Sequence, residues 1–124
     1  MLFGVGFGLF VGLFLRFGAV PRVNDLELAP DEVVRHVGGA NHFQNREGRG
    51  GTLVLTNQAL VFMPHIVNFQ HNEARIPLFD IVEVDAIRTL GIIPNGLSIT
   101  IKLGNQERFA VNHRRGWLAL LRNN

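Results

Sequence analysis

Gly51-Thr52-Leu53-Val54-Leu55-Thr56-Asn57-Gln58-Ala59-Leu60-Val61-Phe62-Met63-Pro64 is the stretch on which the fold turns. Thr52 to Thr56 alternates, with Leu53 and Leu55 on one side and Thr52, Val54 and Thr56 on the other, the period of a half-buried strand. Asn57-Gln58 supplies a tight turn, Ala59 to Met63 forms the return strand, and Pro64 ends it because proline cannot donate to a ladder. A hairpin of this kind is marginal alone and requires further strands with an apolar face.

Outward from this hairpin the same pattern recurs. Glu32 to Phe43 reads as a first strand interrupted at Gly38-Gly39, and Gly48 to Gly51 as a turn. Ile66 to Glu73 is a polar loop. Glu73 to Leu78 is a short strand that Pro77 marks as an edge or an end, with Asp80 a turn residue. Ile81 to Leu90 alternates Ile81, Glu83 and Asp85 with Val82, Val84 and Ala86, so one face is wet. Pro94-Asn95-Gly96 reads as a turn, followed by Leu97 to Leu103, a turn at Gly104-Asn105, and Gln106 to Val111. The period then changes. Asn112 is read as the cap of a terminal helix, whose apolar side is Trp117, Leu118, Leu120 and Leu121, with Trp117 a core plug between helix and sheet. The fold class is mainly β: a bent sheet or partial barrel of about seven antiparallel strands capped by a C-terminal helix.

At the other end, Met1 to Leu15 is unbroken apolar sequence followed by Arg16. Extended to Val20, a helix here reaches about 30 Å, the thickness of a hydrocarbon core. No basic n-region or small-residue cleavage site marks it as a signal peptide, and no charged face marks it as a surface helix. It reads as an apolar N-terminal helix, a single membrane span. Phe3, Phe7, Phe10, Phe14 and Phe17 share one helical face. Gly4, Gly8 and Gly12 lie at i, i+4 and i+8 on nearly the opposite one, where they allow close packing by another helix and hence a homo-oligomer. Arg16 and Arg22 follow the segment, which places the folded domain in the cytoplasm. The organisation is residues 1–20 as the span, 21–30 as a linker and 31–124 as the folded domain.

Composition narrows the chemistry. Net charge is +2, and eleven of the twelve basic residues are arginine, so the high isoelectric point reflects missing titratable groups rather than a basic face. Nucleic acid is not an expected partner. Asp25, Glu27, Asp31 and Glu32, and likewise Arg108, Arg114, Arg115 and Arg122, read as solvated surface. The absence of cysteine removes thiolate metal sites and a cysteine nucleophile. Ser98, the single serine, falls on the polar face of a strand. His36, His42, His65, His71 and His113 show no H-x-x-x-H pair and no close carboxylate partner. No catalytic residues, metal site or cofactor are predicted.

Three pieces carry a family resemblance: Gly51 to Asn57 with Leu60-Val61-Phe62, Ile76-Pro77-Leu78-Phe79-Asp80-Ile81, and the Gly91-Ile92-Ile93-Pro94-Asn95-Gly96-Leu97 turn with Trp117. In that order, they resemble the GRAM domain, a member of the PH-like superfold, over about Asp31 to Leu121. The resemblance implies a non-enzymatic module that binds a membrane lipid bilayer, an anionic phospholipid headgroup or a protein partner. A headgroup phosphate needs several charge-assisted donors. Arg46 and Arg49 of the first hairpin, with His71 and Arg75, are the lipid-binding candidates, with Glu47 and Glu73 among them. A structural subunit that oligomerises through its glycine-patterned helix is the alternative reading.

Overall fold

The computed structural model describes residues 26–44, 47–66 and 73–123. Strands β1 (Val34–Gln44), β2 (Glu47–Thr56), β3 (Ala59–Pro64) and β4 (Ala74–Pro77) form one meander. After a short 3-10 turn at Leu78–Asp80 come β5 (Ile81–Thr89), β6 (Ile93–Ile101), β7 (Gln106–Val111) and the helix α1 (Arg114–Arg122). All neighbours are antiparallel in one seven-stranded sheet of order β4-β3-β2-β1-β7-β6-β5. In the ladder, the two meanders are joined where Ala40 to Phe43 of β1 pairs with Arg108 to Val111 of β7. Curled on itself, the sheet is a half-barrel with α1 against it.

Register assigns the side chains to two cores. Leu53, Leu55, Leu60, Phe62, Ile76, Leu97, Ile99 and Phe109 pack inside the curl, and α1 adds Trp117 and Leu121 to the same cluster. Gly38 makes room for that helix, since a Cβ there would stand 3.2 Å from the Trp117 ring. On the opposite face, Val34, Val37, Val54, Ala59, Val61 and Met63 form a second cluster, which Leu26 joins from the stretch read as linker. The half-buried reading of β2 is therefore corrected. Thr52 to Thr56 and all of β3 are buried on both faces, as near-continuous apolar runs such as Ala59 to Met63 allow.

Several boundaries move for steric reasons. β1 runs through Gly38-Gly39 without interruption. Gly48 to Gly51 is strand rather than turn. A Cβ at Gly51 would overlap the Met63 carbonyl oxygen, and one at Gly48 would lie 2.8 Å from the Phe43 ring, so these glycines serve close cross-strand approach. Pro94-Asn95-Gly96 likewise lies within β6. The register slips between Ile87 and Thr89, and this bulge accommodates Pro94 where no ladder donor is needed. The actual turn is Leu90 to Ile92, with Leu90 at φ 55 and Gly91 at φ 75. Leu103 leaves the strand face assigned to it and stands in the β6–β7 turn. Ser98 is buried rather than on a polar surface. The helix cap is His113 in the left-handed region, not Asn112, and its carbonyl accepts from Gly116 and Trp117.

Charged residues read as solvated surface hold the fold instead. β5 is an edge strand whose outward carbonyls need donors. Arg114 donates to the Ile87 carbonyl at 2.8 Å, and Arg122 donates twice to the Val84 carbonyl at 3.1 and 2.9 Å. At the opposite edge, buried Glu32 accepts from Thr56 Oγ1, from the Ala29 N–H and from the Arg75 guanidinium. Burial pushes the Glu32 carboxyl up, but these donors together outweigh it and hold the group below its ordinary value.

Candidate binding surface

The four residues predicted to form a headgroup site do not converge where the structure describes them. Arg46 and His71 lie outside the described residues. Arg49 is opposite His42 in register, and Arg75 is opposite Val61, which in turn pairs with Val54. Five residues along β2 separate the two positions, roughly 16 Å, and their odd offset sends the side chains to opposite faces. Arg49 donates to Gln44 at 2.6 Å and to Glu47 at 3.2 Å. Arg75 is committed to Glu32. Gly4, Gly8 and Gly12 also fall outside the described residues.

Within the curl, tertiary structure assembles a pair that sequence spacing could not show. His42 Nε2 donates to Glu107 Oε1 at 2.7 Å across β1 and β7, 65 residues apart. The expectation that no histidine has a carboxylate partner is overturned here. His42 is buried and stacks on Phe109, with centroids 4.6 Å apart, beside a tilted Phe62 at 5.2 Å. The imidazole is thus a packed wall of the core whose Nε2 is bonded to a carboxylate. No group of three or more His, Cys, Asp or Glu among the described residues could hold a metal ion.

One concavity of the described surface lies beside the β5–β6 hairpin. A cleft of about 450 Å³ is lined by Phe43, Ile87 and Arg88, the turn at Leu90-Gly91, and Arg108. Arg88 and Arg108 are both exposed. The Arg108 guanidinium donates to Gln106 Oε1 at 3.3 Å, and no hydrogen bond or ion pair of the Arg88 side chain is found among the described residues. The sequence pattern leaves Arg88 unmarked and reads Arg108 as solvated surface, because the two are 20 residues apart and the β5–β6–β7 ladder is what brings them to one cleft.

Among the described residues no helix is long and apolar enough to cross a membrane; the span predicted for residues 1–20 lies outside them. No protein-family model matches the chain, and no curated protein matches it. Among solved structures, the chain is similar to the C-terminal domain of an unknown protein from Leishmania infantum, with a TM-score of 0.64, 14% identity, and coverage of 90% of this chain and 94% of that one. It is also similar to the Vps36 N-terminal PH domain, with a TM-score of 0.60, 13% identity, and coverage of 78% and 84%. At such identities the likeness speaks for the fold, and together with the half-barrel and its terminal helix it establishes a PH-like architecture.

Proposed function

We propose that this chain is a non-enzymatic, GRAM-type PH-like module held at a membrane by residues 1–20, with its folded domain on the cytoplasmic side and a lipid surface as its ligand. The observation that carries the reading is the half-barrel capped by α1, an architecture shared with a PH domain at a TM-score of 0.60. PH-like scaffolds serve as binding modules for lipids or proteins. The apolar run from Met1 to Leu15 supports the tether, and Arg16 and Arg22 support its orientation. Against catalysis stands the fate of the reactive groups: Ser98 is buried in a strand, and the His42 ring is buried against Phe62 and Phe109.

Two measurements on the full chain test the reading. Membranes carrying the protein are washed in alkaline carbonate; retention is expected, and release into the wash would reject the tether. The chain is then mixed with vesicles of neutral or partly anionic composition. Tighter, salt-sensitive association with the anionic set is expected. Equal association rejects headgroup recognition and makes a protein the partner of the module. The spacing of Gly4, Gly8 and Gly12 adds a self-associating face to the tether, and Gly8→Leu should then shrink the oligomer in detergent.

A further inference from the structure

The β5–β6 turn is built against local preference. Leu90 adopts φ 55 and Gly91 φ 75. Two consecutive left-handed residues in a hairpin turn favour Asn-Gly or Asp-Gly, and a bulky side chain at positive φ is an outlier that carries strain. Packing does not explain the choice, because Leu90 is 82% exposed. Its neighbours Ile92 and Ile93 are 75% and 46% exposed. Three large aliphatic side chains therefore project from a strained tip into water.

From Ala86 to Gln106 the chain carries charge of one sign. No Asp or Glu occurs between Asp85 and Glu107, and Glu107 is bonded to His42. Arg88 and Arg108 line the cleft directly behind Leu90 and Gly91, and Arg114 anchors the hairpin base through the Ile87 carbonyl. Another exposed apolar corner differs. Phe79, Val82 and Leu103 are exposed there, but Lys102 sits 5.4 Å over the Phe79 ring and Asp80 and Glu83 adjoin it in the chain. Among the described residues, the hairpin sets an apolar tip beside two arginines that have no ion-pair partner there, the combination that suits acyl chains below a layer of anionic headgroups.

We infer that the β5–β6 hairpin is a membrane-inserting prong: Leu90, Ile92 and Ile93 enter the acyl boundary of an anionic leaflet while Arg88 and Arg108 receive headgroup phosphates at the cleft. This rests on the lipid-surface reading of the module and assigns it a place on the fold.

The chain has no cysteine, so Leu90→Cys in the full-length protein gives a unique site for an environment-sensitive fluorophore. Leu103→Cys, at 88% exposure, is the control. With phosphatidylcholine vesicles containing phosphatidylserine, the Leu90 probe should shift to the blue and be quenched by nitroxide lipids, while the Leu103 probe stays aqueous. In the labelled background, Arg88→Gln and Arg108→Gln should each raise the anionic lipid needed for half the shift by about fivefold. An unlabelled Leu90→Asp/Ile92→Asp chain should lose about tenfold in its preference for anionic over neutral vesicles. If the protein pellets with anionic vesicles while the Leu90 probe remains in water, the prong is rejected and the lipid reading survives. If both probes shift equally, insertion is not specific to the hairpin and the inference also falls. If the chain pellets with neither vesicle type, the lipid reading falls with it.

Discussion

β2 and β3 lie in the middle of their meander, and Thr52 to Thr56 of β2 and all of β3 are buried on both faces, with Leu53, Leu55, Leu60 and Phe62 inside the curl and Val54, Val61 and Met63 in the second cluster. β5 pairs on one side only and keeps Val82 and Glu83 in water, and its hairpin with β6 ends in exposed leucine and isoleucine. The two regions share one sheet, yet only the first is saturated with contacts. A strand with two covered faces tolerates no polar group without a partner, which is why Glu32 and Thr56 are tied into a network at its edge. The second region keeps charged and apolar groups exposed, the arrangement expected of a surface that contacts something else.

Breaking the joint between the regions should have the largest effect. Trp117 packs against Gly38 of the first meander and belongs to the same core as Leu97 and Ile99 of the second. Trp117→Ala should cost about 4 kcal/mol, read as a lower urea midpoint by circular dichroism of the full chain. Arg75→Met should follow at about 3 kcal/mol, because it leaves the Glu32 carboxylate buried without its cation. Adding Glu32→Gln to it should recover part of that loss, and a double variant no better than Arg75→Met would reject the pairing as the cause.

A matched pair of smaller changes sharpens the contrast. Val61→Ala in the doubly covered β3 should cost about 2 kcal/mol, whereas Val82→Ala on exposed β5 should stay within about 0.5 kcal/mol. Equal losses would mean that the faces are not differently loaded. Acid should act on the first meander as well. The Glu32 carboxyl is held below its ordinary 4.5, so its contribution is complete above that value and is lost as pH falls through the lower folded one. His36 stacks edge-on against Trp117 with centroids 4.5 Å apart. Burial, then the nearby His113, lowers its pKa from 6.5. The neutral ring is favoured in the fold, so its contribution is present above 6.5 and lost as pH drops through the folded value. Urea midpoints measured from pH 7.5 to 4 should fall, and His36→Asn should flatten the upper part of that curve.

Much of the fold was legible from local pattern. The 53–63 hairpin and the apolar side of α1 each repeat at the period of their element, whereas on β5 a register slip between Ile81 and Glu83 puts Val82 in water beside Glu83 and breaks the expected alternation. Boundaries failed where glycine or proline had a packing role rather than a turning one: Gly48 to Gly51 beneath Phe43 and Met63, Gly38 beneath Trp117, and Pro94 in a bulge. The arginine quartet was harder still. Arg49 and Arg75 look near in a sketch of hairpins, but strand parity and the Glu32 carboxylate separate them.

Sequence alone determined which segments alternate, where the chain becomes helical, that thiol chemistry is absent, and that an apolar run opens the chain, because each depends on residue identity and short spacing. Tertiary structure decided which faces are covered, that His42 meets Glu107, that Arg75, Arg114 and Arg122 are structural, and that Arg88 and Arg108 share a cleft behind an aliphatic tip. Those outcomes depend on strand order and register across tens of residues, and no local periodicity encodes which distant strand will lie alongside.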